Sequence, residues 1–445
     1  GAPGGLGAEA PDVQPGEDGA LRGHGRSFDL KVENLRLRAE MQRLRSRERA
    51  ERRRLETIRS VANGATALAP RSRPLVGLGL HFDAREIDWL LLRGLERRVP
   101  IPARLELESL LSCIADEQLE VQRRLLDLGH AAGSRKLKSA VREIFSAGGK
   151  RLRPALCLLV HRMLRAGGER LPGATSDEVL TISTAVEVIH TASLLHDDIL
   201  DDADTRRQQR TVHRVFGPDV AVLSGDFLFA TASGLVESLE NDEVTRLVSL
   251  VIEQFGQGEL SQSAKRFDVT VSLMDYMKKS FYKTASLLAA ACRASAVLSG
   301  PPREVCDMLY TYGFYLGIAF QIADDILDFD GAGEILGKPP CQDLREGLLT
   351  APVILCLHGD EGLGLPPAPG AEELRRLLRR RFEGAGDLAR AAQLVREGGG
   401  VDMAYRLADQ MANKALEALM LVAPVDSDSR RALAGLTRWA VRRSS

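Results

Sequence analysis

The 445-residue chain is poor in aromatic residues, which make up 5% of it, and has only two tryptophans. It also lacks an excess of either charge, with 60 Lys and Arg against 61 Asp and Glu for a formal net charge of -1. That balance excludes a globally basic nucleic-acid binder and leaves only local charge patches to act on a partner. The six cysteines, Cys113, Cys157, Cys292, Cys306, Cys341 and Cys356, form no CxxC pair and no zinc-finger spacing. A disulfide scaffold is thereby disfavoured, and free thiols in a reducing compartment are expected. No uninterrupted apolar run approaches the roughly 20 residues that cross a bilayer, so any membrane contact is expected to be peripheral. The β-branched alternation that demands a sheet is missing, and so is a Gly-rich strand-to-helix phosphate loop. What the chain does have is 44% hydrophobic residues, enough to bury a large core.

Composition divides the chain. Residues 1–27 are rich in Gly, Pro, Ala and acidic groups with few large apolar side chains, and are expected to be disordered. Asp12, Glu17 and Asp18 are unlike the acid-poor makeup of an organelle transit peptide. Residues 28–62 contain no Pro or Gly, and Val32, Leu35, Met41, Leu44, Leu55 and Ile58 recur at roughly helical spacing among many Arg and Glu. This predicts a basic helical extension, either solvated or in contact with a membrane surface or partner through its Arg run. Residues 63–104 read as a linker and pre-domain segment. Residues 105–445 form amphipathic stretches separated by short Gly, Pro, Asp and Ser clusters. Helices are predicted over 105–128, 177–195, 220–240, 243–255, 273–298 and 303–327, so the fold class is all-α.

The strongest chemical signal is His196-Asp197-Asp198-Ile199-Leu200-Asp201-Asp202, at the end of an apolar run. Asp197 and Asp201 lie one helical turn apart and share a face. Such crowding of carboxylates is costly unless a cation neutralises it. Taken alone, the cluster also reads as a solvated helix cap. The pattern returns, however, as Gln321-Ile322-Ala323-Asp324-Asp325-Ile326-Leu327-Asp328. Two copies suggest two helices presenting acidic ends to one cavity, where Mg²⁺ binds through carboxylates and substrate phosphates. Matching cations are grouped nearby in sequence: Gly148-Gly149-Lys150-Arg151-Leu152-Arg153-Pro154, Arg206-Arg207, Lys283-Thr284 and Lys338. Each group alone is compatible with a surface salt bridge. Together with the two acidic clusters they describe a diphosphate site.

From about residue 105 onward these motifs resemble the trans-type polyprenyl diphosphate synthases, the head-to-tail isoprenoid chain-elongating enzymes. The resemblance rests on GGKRLRP at 148–154, DDILD at 197–201, DTRR at 204–207, LSGDFLFA at 223–230, FYKTASL at 281–287 and FQIADDILDF at 320–329, followed by GKPPCQDLREGLLTAP at 337–352. It implies an isoprenoid-synthase helical bundle around a deep central cavity, working as a homodimer, with the Asp motifs facing each other across the mouth. It further implies about three Mg²⁺ ions per active site when substrate is bound, held by Asp197, Asp198, Asp201, Asp324 and Asp325, with Asp328 outside them. Arg206, Lys283, Thr284, Gln321 and Lys338 would assist with the allylic diphosphate. Lys150, Arg153, His190 and Arg207 would hold isopentenyl diphosphate, with Phe320 near its hydrocarbon part.

Small residues at Ala192 and Ser193, five and four positions before Asp197, predict an open floor and long products, although small residues also serve close helix packing. The segments Gly258-Glu259-Leu260-Ser261-Gln262 and Lys279-Ser280-Phe281-Tyr282-Lys283-Thr284 resemble the solanesyl-type members of plastids and cyanobacteria. The resemblance therefore implies a product of about C45 for a quinone side chain, in a plastid, with a mitochondrial or cytoplasmic site as alternatives. Gln208, Cys341 and the basic N-terminal helix depart from the family pattern. Competing readings are a shorter-chain synthase, a non-catalytic subunit of a heteromeric synthase, and a helical scaffold.

Overall fold

Among the described residues, the stretches expected as helix from their apolar patterning are helical. The computed structural model describes residues 106–166, 176–206, 209–329, 341–359, 366–422 and 427–442. All lie in the second of two units into which the chain divides, Arg73–Ser445. The N-terminal expectations over 1–104, and the candidate site residues Arg207 and Lys338, fall outside the described residues.

The main helices are α1 (Ala115–Ala131), α2 (Arg135–Ser146), α3 (Leu152–Arg165), α4 (Ser176–Leu200), α5 (Pro218–Glu237), α6 (Asp242–Ala264), α7 (Leu273–Ser280), α8 (Ser286–Ser299) and α9 (Arg303–Phe329). They continue with α10 (Ala351–His358), α11 (Ala371–Arg379), α12 (Asp387–Glu397), α13 (Gly400–Val422) and α14 (Asp428–Arg442). Among the described residues the only sheet is a hairpin after α4, β1 (Thr205–Arg206) paired antiparallel with β2 (Gln209–Arg210). The two strands follow the first acidic motif directly and bring Arg206 back towards it.

Local chemistry starts the helices that matter for the site. Asn241 caps α6 by accepting the Glu243 and Val244 amides, both at 3.1 Å. Ser272 and Asp275 close a reciprocal capping box at the start of α7. The stretch expected as one helix over 273–298 is three pieces, because five residues, Phe281–Ala285, wind as a π-helix between α7 and α8. A π turn inserts an extra residue into the helical register and is frequently found at functional sites.

The core lies around α4, α8 and α9, with α9 packed chiefly against α8 and α13, and α4 against α5. Arg293 on α8 binds Glu243 on α6 at 2.7 Å and also pairs with Asp307 on α9, fastening three helices at one point. The buried Tyr312 hydroxyl donates to the Leu433 carbonyl at 3.0 Å, tying α14 to α9.

Among the described residues two helices, α4 and α5, are long and apolar enough to cross a membrane by length and composition alone. Neither contains an uninterrupted apolar run of about 20 residues, since polar residues interrupt both, and their mean hydropathy is 1.3 for α4 and 1.4 for α5. In α4 the apolar residues are core, with 72% of the window buried inside the protein. In α5 only 33% of the window is covered, and Val222 and Leu223 are exposed.

Candidate active site

Both acidic motifs sit at the C-terminal ends of long core helices, α4 and α9. Adjacent aspartates on a helix point about 100° apart, and the structure divides each pair accordingly. Asp197 is half-buried, and Asp201 and Asp324 are exposed. Asp198, 4% exposed, takes Arg206 Nε on its Oδ1 at 2.5 Å. Asp325, 2% exposed, accepts the Tyr276 hydroxyl at 2.6 Å and Gln321 Nε2 at 2.9 Å. Asp328 accepts the backbone amides of Gln342 and Asp343 at 2.9 and 3.2 Å, and so caps the short helix Gln342–Arg345.

The π turn carries Lys283 and Thr284 into this region. Lys283 Nζ lies 3.7 Å from Asp197 Oδ2 and 2.9 Å from Glu259 Oε2. Thr284 Oγ1 donates to Gln321 Oε1 at 2.7 Å. Neighbouring residues of one turn thus reach both acidic motifs, the first through Asp197 and the second through Gln321 and Asp325. Two glycines allow α9 to come close, Gly317 to this turn and Gly313 to the start of α8. A Cβ on Gly317 would stand 2.4 Å from Ala285 Cα, and one on Gly313 would stand 2.6 Å from the Leu288 carbonyl oxygen.

Burial pushes the Asp197 carboxyl up to about 6; Lys283 opposes this, while Glu259 and Asp201 add to it. Asp201 is raised for the same leading reason, with Glu259 and Glu346 adding negative charge. Burial works against the Lys283 ammonium, but Asp197, Glu259 and Asp201 outweigh it and raise its pKa. The site therefore holds more negative charge than Lys283 offsets. Among the described residues no three His, Cys, Asp or Glu groups converge on one point to hold an ion by themselves. A surplus of carboxylate oxygens in pairs, without soft ligands, suits a hard divalent cation whose remaining positions are filled by water and substrate phosphate.

The remaining candidates lie on the helices around this centre. Phe320, one residue before Gln321, borders an apolar cavity with Arg153, Leu316, Leu436 and Trp439. Lys150 stands 4.9 Å above the Trp439 ring. His190 is half-buried on α4, where Ser193 Oγ donates to its carbonyl at 2.9 Å. Ala192 is fully buried on the same helix. A second cleft is bordered by Arg151, Thr191, Asp198, Arg206 and Arg210.

Three residues of this constellation were not singled out as site residues in the sequence: Glu259, Tyr276 and Glu346. A glutamate inside the amphipathic α6 carries no sign that distinguishes it from a solvated charge, and only folding brings it to Lys283.

Residues 134–395 match the polyprenyl synthetase family. Solanesyl-diphosphate synthase 2, chloroplastic, of Oryza sativa subsp. japonica is 43% identical over 319 residues, covering 72% of this chain and 76% of that protein. A prenyl transferase of Synechocystis sp. is 44% identical over 299 residues, covering 65% and 86%. The crystal structure of a polyprenyl synthase from Caulobacter crescentus CB15, complexed with calcium and isoprenyl diphosphate, superposes with a TM-score of 0.68 at 33% identity, covering 78% of this chain and 100% of that one. With its all-α core and paired acidic helix ends, the chain belongs to the polyprenyl synthetase family and is a trans-prenyltransferase.

Proposed function

We propose that this protein condenses isopentenyl diphosphate head to tail onto an allylic diphosphate, with Mg²⁺, to make an all-trans polyprenyl diphosphate of about C45 for a quinone side chain. The observation that carries this reading is the pair Lys283 and Thr284, which reaches Asp197 on one side and, through Gln321, Asp325 of the second acidic motif on the other. The solanesyl synthases among the relatives support the long product and, being named chloroplastic, a plastid location.

In this reading Asp197, Asp201 and Asp324 hold Mg²⁺, which when bound neutralises the allylic diphosphate and stabilises the charge it gains on leaving. Asp198 and Asp325 act alongside: the first fixes Arg206, and the second fixes Gln321 and through it Thr284. Lys283, Arg206 and Lys338 bind the departing diphosphate. Breaking the allylic carbon–oxygen bond moves its electron pair onto that diphosphate, so cations placed there stabilise the transition state more than the ground state. Lys150, Arg153, His190 and Arg207 hold isopentenyl diphosphate, and Phe320 lines the space for its hydrocarbon part. Its double bond attacks the allylic cation, and the proton then lost passes to the released diphosphate, so no side chain is assigned as general base.

The growing chain descends past Ala192 and Ser193, whose size leaves the way open. The uncovered apolar face of α5 is assigned to a second copy of the chain, since burying Val222 and Leu223 against a partner removes apolar surface from water. The test is incubation with Mg²⁺, farnesyl or geranylgeranyl diphosphate and labelled isopentenyl diphosphate, followed by chromatography of the dephosphorylated products. A ladder reaching long chains is expected; no extension of any allylic primer would contradict the reading.

A further inference from the structure

The turn that opens α3 has unusual backbone geometry. Gly148 and Gly149 take φ of 71° and 147°, and Arg151, which has a side chain, takes 46°. A left-handed backbone disfavours such a residue unless the surroundings hold it there. Here they do. The Arg151 guanidinium, its side chain 8% exposed, meets Glu187 on α4, 3% exposed, at 2.6 Å. It also donates to Gln122 Oε1 and to the Phe145 carbonyl, each at 3.1 Å.

A buried ion pair contributes little net stability, because desolvation offsets its attraction. What this one does contribute is geometry. Arg151 separates Lys150, which stands over Trp439, from Arg153, which borders the cavity beside Phe320. Glu187 lies on α4 one turn before His190 and ten residues before Asp197. The pair therefore fastens the turn bearing Lys150, and the first turn of α3 bearing Arg153, to the turn of α4 bearing His190.

We infer that Arg151 and Glu187 are positioning residues that set the spacing of Lys150 and Arg153 from His190, and thereby the affinity for isopentenyl diphosphate, without touching it. This rests on the proposed roles of Lys150, Arg153 and His190. The full chain is assayed as wild type, as Arg151→Lys, which keeps the charge but loses the forked donors, and as the double variant Arg151→Met with Glu187→Met, which strands no buried charge.

With both substrates varied, KM for isopentenyl diphosphate is expected to rise about tenfold in Arg151→Lys and further in the double variant. KM for farnesyl diphosphate and kcat should stay within about twofold. A wild type that performs no condensation sinks the functional reading and this inference with it. A wild type that turns over, with variants whose two KM values are unchanged or rise together as the melting temperature falls, overturns the inference alone. If Arg151→Lys does not fold, the double variant decides by the same comparison.

Discussion

Thr284 donates its hydroxyl hydrogen to Gln321 Oε1 at 2.7 Å, and Gln321 passes the contact on through Nε2 to Asp325 at 2.9 Å. The adjacent Lys283 faces Asp197. A single π turn is thus the piece of backbone common to both acidic motifs. It is also what makes the site sensitive to how closely α9 lies against the Phe281–Ala285 turn.

Asp197→Ala and Asp324→Ala should each lower kcat by about two to four orders of magnitude, since charge stabilisation at the departing diphosphate is worth several kcal/mol. Steady-state incorporation of labelled isopentenyl diphosphate measures this. A near-normal rate in either variant would contradict the role given to that carboxylate.

The half-buried Asp197 makes a pH-dependent prediction. Its folded pKa of about 6 lies above its unfolded value, so the folded state binds the extra proton and ionised Asp197 disfavours folding. The penalty is absent below the unfolded pKa and complete above about 6. Without ligands, Asp197→Asn should therefore stabilise the protein by on the order of 2–3 kcal/mol at pH 7.5 and by little at pH 4. Denaturant melts at the two pH values test this; an equal gain at both would place the origin elsewhere.

Gly317→Ala should destabilise the fold by about 1–3 kcal/mol or more, because its Cβ meets backbone rather than a flexible side chain. Activity should fall further than stability explains, since the displaced contact is the π turn itself. A variant that melts like wild type and turns over normally would show that α9 and this turn have slack.

Ala192→Phe should shorten the products, because a large ring at a fully buried position on α4 blocks the path below Asp197. The product ladder reads this directly. An unchanged ladder would show that the growing chain passes elsewhere.

The sequence shows the helices well where their apolar period is unbroken. The expected helix over 303–327 is Arg303–Phe329, and that over 177–195 lengthens to Ser176–Leu200 because the first acidic motif continues the helix. It does not show the π turn, since Phe281-Tyr282-Lys283-Thr284-Ala285 keeps the composition of its neighbours and nothing local marks the inserted residue, while the close approach of Gly317 to Ala285 comes from a distant helix. Nor does it separate Asp197 from Asp198 or Asp324 from Asp325. Identical neighbours differ only in the direction they face, and it is Arg206 and Tyr276, contributed by other elements, that mark which of each pair is turned inward.

The central claim is tested most directly by a crystal structure with Mn²⁺ in place of Mg²⁺ and a non-ionising thiodiphosphate analogue of farnesyl diphosphate. Anomalous peaks are predicted between the analogue's phosphates and Asp197 and Asp201 on one side and Asp324 on the other. Metal bound away from either motif, or an analogue seated without contact to Lys283, would contradict the account.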